Sequence, residues 1–284
     1  MPSHIELMIP GATVSGTPLE VTAPYDNALL ATVDTADAVA VEQALATAHA
    51  LFRDRSQWLS KSQRISILSR TAELMSGQRD ELALAAAAEG GKPLIDSRVE
   101  VDRAIDGLHN CVECIRTAAG REIPMDINAA SADRLAMTQH EPIGVVAAVS
   151  AFNHPVNLIV HQVGPAIAAG CPVIVKPAGD TPLSCLNFVQ MLHDAGLPAA
   201  WCQAIVTDSN DTATALVTDS RVAFFSFIGS GRVGWMLRSR LAPGTRCALE
   251  HGGVAPAIVL DDFDVETTVA AVAKGGFYHA GQVC

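Results

Sequence analysis

Charge is scarce in this chain of 284 residues, and positive charge is scarcest: 19 Lys and Arg stand against 30 Asp and Glu, a formal net of −11. Nucleic-acid binding needs basic patches that meet phosphates. None is visible, which argues against nucleic acid as a partner, and the acidity itself speaks only to solubility. No apolar run reaches the roughly 18 to 20 residues that a membrane-crossing helix requires. The opening Met1-Pro2-Ser3-His4-Ile5-Glu6 lacks the basic-then-apolar pattern of a secretory leader. Cysteines number only seven, scattered and odd, which fits reduced thiols in the cytoplasm better than a disulfide framework. Cys111-Val112-Glu113-Cys114 is a CxxC pair, but no second pair or histidine cluster completes a zinc site, so no metal is assigned.

What is present is apolar mass. Apolar residues make up 49% and charged residues 17% of the chain, the composition of a globular protein with one or two domains and a sizeable core. Residues 1–35 read as short strands punctuated by Gly11, Gly16, Pro18, Pro24 and Asp26-Asn27. Helices are expected over 38–51 with Asp37 as N-cap, over 64–75 capped by Ser62, over 80–89 ended by Gly90-Gly91, and over 94–118. In the last of these Val101, Ile105, Leu108, Val112 and Ile115 recur at a helical period. Residues 120–140 change character: Arg121-Glu122-Ile123-Pro124 and residues 134–140 read as a protruding hairpin, either one whose edges need a partner or a plain surface hairpin.

From Gly144 a regular alternation sets in. Strands are expected over 144–149, 172–175, 201–206, 222–228 and 245–249, with helices over 155–169, 182–194, 211–218 and 233–241 between them. Strands separated by helices of this length pair in parallel through right-handed crossovers, giving an α/β fold with a doubly wound parallel sheet. Ligands in such sheets bind beyond the carboxyl ends of the strands, and the chemically suggestive stretches all fall there.

Gly229-Ser230-Gly231-Arg232-Val233-Gly234 fits GxGxxG and opens a helix, a place suited to pyrophosphate; Trp235 stands where a Walker loop needs lysine. Lys176 follows a buried strand directly and could meet a ribose hydroxyl or a phosphate. Asn153, before a helix, could cap it or donate to an oxyanion. Near the end of the sequence stand Leu249-Glu250-His251-Gly252-Gly253 and Gly281-Gln282-Val283-Cys284. A cysteine thiolate can add to a carbonyl, and a glutamate can take a proton from the water that hydrolyses the product.

Together these stretches resemble the NAD(P)-dependent aldehyde dehydrogenases. Phe152-Asn153-His154-Pro155 is similar to their Trp/Phe-Asn-Phe-Pro signature. Val175-Lys176-Pro177-Ala178 with Thr181-Pro182-Leu183-Ser184 matches their lysine motif, and Gly196-Leu197-Pro198 the next turn. Phe227-Ile228-Gly229-Ser230 resembles their Phe-Thr-Gly-Ser loop, Glu250 and its neighbours their Glu-Leu-Gly-Gly, and Gly281-Gln282-Val283-Cys284 their Gly-Gln-x-Cys. Glu89-Gly90-Gly91-Lys92-Pro93 and Arg98-Val99-Glu100-Val101 also fit.

The resemblance implies oxidation of an aldehyde to a carboxylic acid with NAD or NADP, through a cysteine thiohemiacetal and a thioester. Cys284 is then the nucleophile, Glu250 the general base, and Asn153 the oxyanion donor with the Cys284 N–H. Cofactor contacts are expected at Ser150, Ala151, Phe152, Lys176, Ala178, Gly179, Gly229, Ser230, Val233, His251 and Gly252. The implied layout is a Rossmann-like cofactor domain over 1–119 and 141–249, an oligomerisation hairpin over 120–140, and the start of a second α/β catalytic domain over 250–284. A small aldehyde as substrate and a homodimer or homotetramer as assembly follow from the same resemblance.

Three departures stand out. Gly179 sits where many NAD-specific members have a glutamate, His251 replaces a leucine beside the base, and His154 replaces an aromatic residue. Members of the family also run on for a further catalytic half with a Glu-x-Phe-Gly-Pro motif, absent here. Two alternatives follow: a non-catalytic nucleotide-binding fragment or structural protein, and a CoA-acylating relative, against which Glu250 argues.

Overall fold

The computed structural model describes residues 3–13 and 16–284; Met1 and Pro2 of the leader region read above lie outside them. The N-terminal strands Ser3–Ile5 (β1), Leu19–Thr22 (β2) and Leu29–Val33 (β3) form a small sheet of order β1-β3-β2, with β1 parallel and β2 antiparallel to β3. Helix Ala38–Arg53 (α1) starts at Asp37, whose carboxylate accepts from the N–H groups of Val39 and Ala40. Helix Lys61–Gly77 (α2) starts three residues earlier than expected, and its cap two residues earlier: Ser60, not Ser62. Ser60 Oγ accepts from the Gln63 N–H while the Gln63 side chain takes the Ser60 N–H. Helices Arg79–Gly90 (α3) and Leu94–Thr117 (α4) follow, divided at Gly91, whose φ of 61° suits glycine.

The expected hairpin is present but short, pairing Glu122–Ile123 (β4) with Ala136–Met137 (β5) and leaving Ile127, Leu135 and Met137 exposed. The alternating segment then runs Val145–Val149 (β6), Asn157–Ala169 (α5), Val173–Lys176 (β7), Leu183–Asp194 (α6), Cys202–Ala204 (β8), Asn210–Thr218 (α7), Val222–Gly229 (β9), Gly231–Arg238 (α8) and Arg246–His251 (β10). Trp201 falls in a single 3₁₀ turn rather than in β8, and α8 begins and ends earlier than its apolar pattern suggested. Helix Val265–Phe277 (α9) follows with no buried residue, and a 3₁₀ turn over Tyr278–Gly281 leads on to Cys284.

The sheet order is β10-β9-β6-β7-β8, every pair parallel. Strand β6 reads VVAAV because both its faces are covered. Val146 and Ala148 point into a core shared with α2 to α6. Val145 and Ala147 point the other way, among Ala40, Ala44, Leu45, Leu216 and Leu237 of α1, α7 and α8. The chain enters at central β6, winds outward through β7 and β8, and crosses back to β9 and β10. The winding direction therefore reverses between β6 and β9, and the crevice beyond their carboxyl ends is where a doubly wound sheet offers a site. Gln162 on α5 ties the two strands there, its amide donating to Val149 O and to both oxygens of Ser226, each at 3.1 Å. Among the described residues no helix is long and apolar enough to cross a membrane.

Candidate active site

A cleft of about 460 Å³ opens at that reversal. Strand β6 delivers Ser150, Ala151, Phe152 and Asn153 to it, and β7 delivers Ala178. The end of β9 and the first turn of α8 bring Gly229, Ser230 and Val233, while β10 brings Glu250, His251 and Gly252. Cys284 closes it. Twelve of the fourteen residues expected from the sequence thus share one cleft; Lys176 and Gly179 do not line it. A larger cavity of about 550 Å³ between α2, α4 and the foot of the hairpin holds none of the fourteen.

The local geometry follows from small residues and from turns. Ser230 caps α8, its Oγ accepting from the Val233 N–H at 3.4 Å. The helix can lie this close to β10 only because position 234 is glycine. A Cβ there would come within 2.3 Å of His251 Nε2 and 2.9 Å of the Phe227 ring. His251 fills the resulting notch edge-on to Phe227 and Trp235, at ring separations of 6.1 and 5.6 Å. Strand β10 alternates in burial, so Leu249 and His251 turn inward while Glu250 is exposed on the side of the cleft. Gly252 and Gly253 run against the Cys284 backbone, and the Gly253 N–H donates to the Cys284 carbonyl.

Asn153 is buried and its side-chain amide donates to Gln282 O at 2.7 Å, two residues before Cys284. Lys176 Nζ donates to the neighbouring Pro177 carbonyl at 3.0 Å, and burial lowers its pKa. Gly179 faces open space: a Cβ there meets nothing within 4 Å. Among the described residues, four buried polar atoms around the cleft, Ser150 Oγ, His154 Nδ1, His251 Nε2 and Gln282 Oε1, find no hydrogen-bond partner. Orphaned atoms of this kind call for water or a polar ligand.

Behind the cleft lies a buried polar network for which the sequence reading assigned no roles. Glu100 and Lys92 form an ion pair with both side chains wholly buried. Glu100 also accepts from the Val156 and Asn157 N–H groups at 2.8 and 2.9 Å, satisfying the start of α5. Burial pulls Lys92 down to about 8, opposed by the carboxylates of Glu89 and Asp96. Burial likewise pushes Glu89 up to about 6, although the Leu183 and Ser184 N–H groups and the Ser184 hydroxyl donate to it. The sequence signal was there, in Glu89-Gly90-Gly91-Lys92 and Arg98-Val99-Glu100-Val101. A substitution Glu100→Ala would strand a buried cation and two N–H groups. It is expected to cost about 3–5 kcal/mol of stability, seen as an earlier urea midpoint with an unchanged slope.

The sequence pattern of the aldehyde dehydrogenase family matches residues 12–284. The chain belongs to the aldehyde dehydrogenase family. The 3-sulfolactaldehyde dehydrogenase of Priestia megaterium is 34% identical over 266 residues, covering 94% of this chain and 55% of that protein. Among solved structures, aldehyde dehydrogenase 21 from Physcomitrella patens, in complex with the reaction product succinate, superposes with a TM-score of 0.91 at 34% identity, covering 100% of this chain and 59% of that one. The glyceraldehyde-3-phosphate dehydrogenase of Methanocaldococcus jannaschii, complexed with NADP, gives 0.86 at 30% identity, covering 95% and 58%. This aldehyde dehydrogenase chain spans about half to three-fifths of the length of the curated relatives it matches.

Proposed function

We propose that this chain serves the oxidation of an aldehyde to its carboxylic acid with NAD(P)⁺. The observation that carries the reading is the meeting of Cys284, Glu250 and Asn153, from three separate stretches, around one cleft at the reversal of the sheet. As thiolate, Cys284 Sγ bonds to the aldehyde carbon, and the carbonyl electron pair moves to oxygen. The Asn153 amide and the Cys284 N–H are the donors for that alkoxide. NAD(P)⁺, held by the residues assigned above, would supply the hydride acceptor, so that loss of hydride from the Cys284 adduct leaves a thioester on Cys284. Glu250 then takes a proton from water, the hydroxide oxygen bonds to the acyl carbon, and the carbon–sulfur bond breaks to return the thiolate.

The cleft is lined mostly by apolar surface, which suits the flat rings of a dinucleotide, with a few polar groups set among it. The N-terminus of α8 at Ser230 offers a favourable end for a phosphate, and the unpartnered Ser150 Oγ is a further polar group of the cleft. Lys176 and Gly179 stand at the end of β7, where the adenosine ribose is expected. Exposed Ile123, Ile127, Leu135 and Met137 support reading residues 120–140 as a contact within a homodimer or homotetramer. The domain division at 119, 141 and 250 belongs to the same proposal, supported at its last boundary by exposed Val254, Ile258 and Leu260. The free thiols support a cytoplasmic setting.

Cofactor choice tests the reading. A ribose 2′-phosphate beside a carboxylate is repelled by a few kcal/mol in a partly dry site, and position 179 carries no side chain. NADP⁺ is therefore expected to match or exceed NAD⁺ in kcat/KM, and Gly179→Glu to shift preference toward NAD⁺ by about 10- to 100-fold. Steady-state rates with both cofactors over a panel of aldehydes decide it. A wild-type preference for NAD⁺ above roughly 100-fold would show that Asp180 supplies the missing carboxylate. No reduced cofactor with any aldehyde would overturn the function itself.

A further inference from the structure

Just before Cys284 the backbone passes through a left-handed run, with φ of 55° at His279, 54° at Ala280 and 70° at Gly281. Glycine tolerates this region; histidine and alanine enter it against steric resistance and stay only where the surroundings hold them. The surroundings here are specific. The His279 N–H donates to the Asp96 carboxylate at 3.0 Å. Its ring is fully buried and stacks on His154, with centroids 3.8 Å apart and planes 20° from parallel. Its Nε2 contacts the Asn153 carbonyl oxygen, and since a carbonyl can only accept, this nitrogen carries the proton.

Asn153 returns the grip through its own side chain, which donates to Gln282 O. Asn153 and the loop 279–282 are thus joined by two hydrogen bonds running in opposite directions. Lys92 Nζ, 3.4 Å from the same Asn153 carbonyl, is a weaker second donor, itself held by Glu100. Burial lowers the pKa of His279, and burial together with the charges of His279 and Lys92 takes His154 down to about 3, so both rings are neutral near pH 7.

We propose that His279, stacked on His154, is a positioning residue that sets the Asn153 amide relative to Cys284. The role rests on the aldehyde-oxidation reading for its catalytic meaning, but the clamp itself belongs to the loop. Without the imidazole, the left-handed run loses the donor that over-determines it, and Asn153 loses the partner that fixes its backbone. A donor and acceptor out of register by even a fraction of an ångström weaken stabilisation of the alkoxide more than they weaken cofactor binding.

The test compares His279→Ala and His279→Gln in the full-length gene product, with His279→Met, of similar bulk but no donor, standing in if the alanine variant does not fold. Amide hydrogen exchange over 279–284, read by mass spectrometry without substrate, should speed up by about 3- to 10-fold in the donor-less variant, as expected for one lost hydrogen bond. Its kcat should fall by roughly 10- to 100-fold while KM for the cofactor stays within about twofold. His279→Gln, whose amide can donate to the same carbonyl, should recover most of both. Unchanged exchange, faster exchange with wild-type kcat, or a glutamine variant as impaired as the donor-less one overturns the proposal. A wild-type protein that oxidises no aldehyde sinks the functional reading separately, because exchange reports on the loop without any turnover.

Discussion

Cys284→Ala is expected to abolish aldehyde oxidation, by on the order of 10⁴-fold or more, the scale seen when a covalent nucleophile is deleted. Cofactor binding should be nearly unchanged, because the residues assigned to the dinucleotide sit at the ends of β6, β7, β9 and β10 and at the start of α8 rather than on the thiol. The other cysteines provide the control. Burial pushes the thiol of Cys111 up to about 11, and those of Cys171, Cys185 and Cys202 are raised by burial as well. None of these four is poised as a thiolate near neutral pH. Cys114 is exposed but lines the cavity at the foot of the hairpin, and Cys247 is half-buried on β10. Each of the six should be replaceable by alanine without loss of the reaction. Substantial turnover in the Cys284 variant would rule out the covalent route.

Glu250→Gln should separate the two halves of the reaction. Hydride removal precedes water attack, so the variant should still release a burst of reduced cofactor close to one equivalent per active site. Steady turnover should then drop by about 10²- to 10⁴-fold, the usual contribution of a positioned base. The exposed position of Glu250 beside the cleft, on the outward face of β10, leaves it access to water. Stopped-flow recording of cofactor reduction, with acid quench to trap the acyl group on Cys284, distinguishes the cases. Loss of the burst along with turnover would move Glu250 to thiol activation or binding.

The central sheet was legible because its middle strands are covered on both faces: Val145–Val149 is an unbroken apolar run, and Val173–Lys176 and Val222–Gly229 are apolar but for Lys176 and Ser226. The twelve residues that line the cleft were picked out through the resemblance, which sets them at strand ends. Helix starts were legible only where the capping chemistry was read in full: Ser60 and Ser62 look alike, but Ser60 alone has Gln63 at the capping-box spacing. The hairpin strands were overestimated because two residues of pairing leave almost no periodic trace. The Lys92–Glu100 pair was missed as an interaction because charged side chains usually lie in water, and burial of both is a property of the surrounding helices. The turn at His279 and Ala280 was invisible for the same kind of reason: neither residue favours φ above zero, and only contacts from Asp96, Asn153 and His154 keep them there.

The strand order has a bearing on synthesis. Strands β6, β7 and β8 can pair in the sequence in which they leave the ribosome, each beside the one before. The other edge of β6 waits for β9, the whole of β7 to α7 later in the chain. At ~5–20 residues per second that interval is roughly 4–16 s, during which an apolar strand meant for the middle of a sheet is unpaired along one side. Such an edge is the natural place for a nascent chain to stick to its neighbours or to recruit a chaperone. The crevice between β6 and β9 therefore cannot form until Val222–Gly229 docks, and β10 is added beside β9 later still.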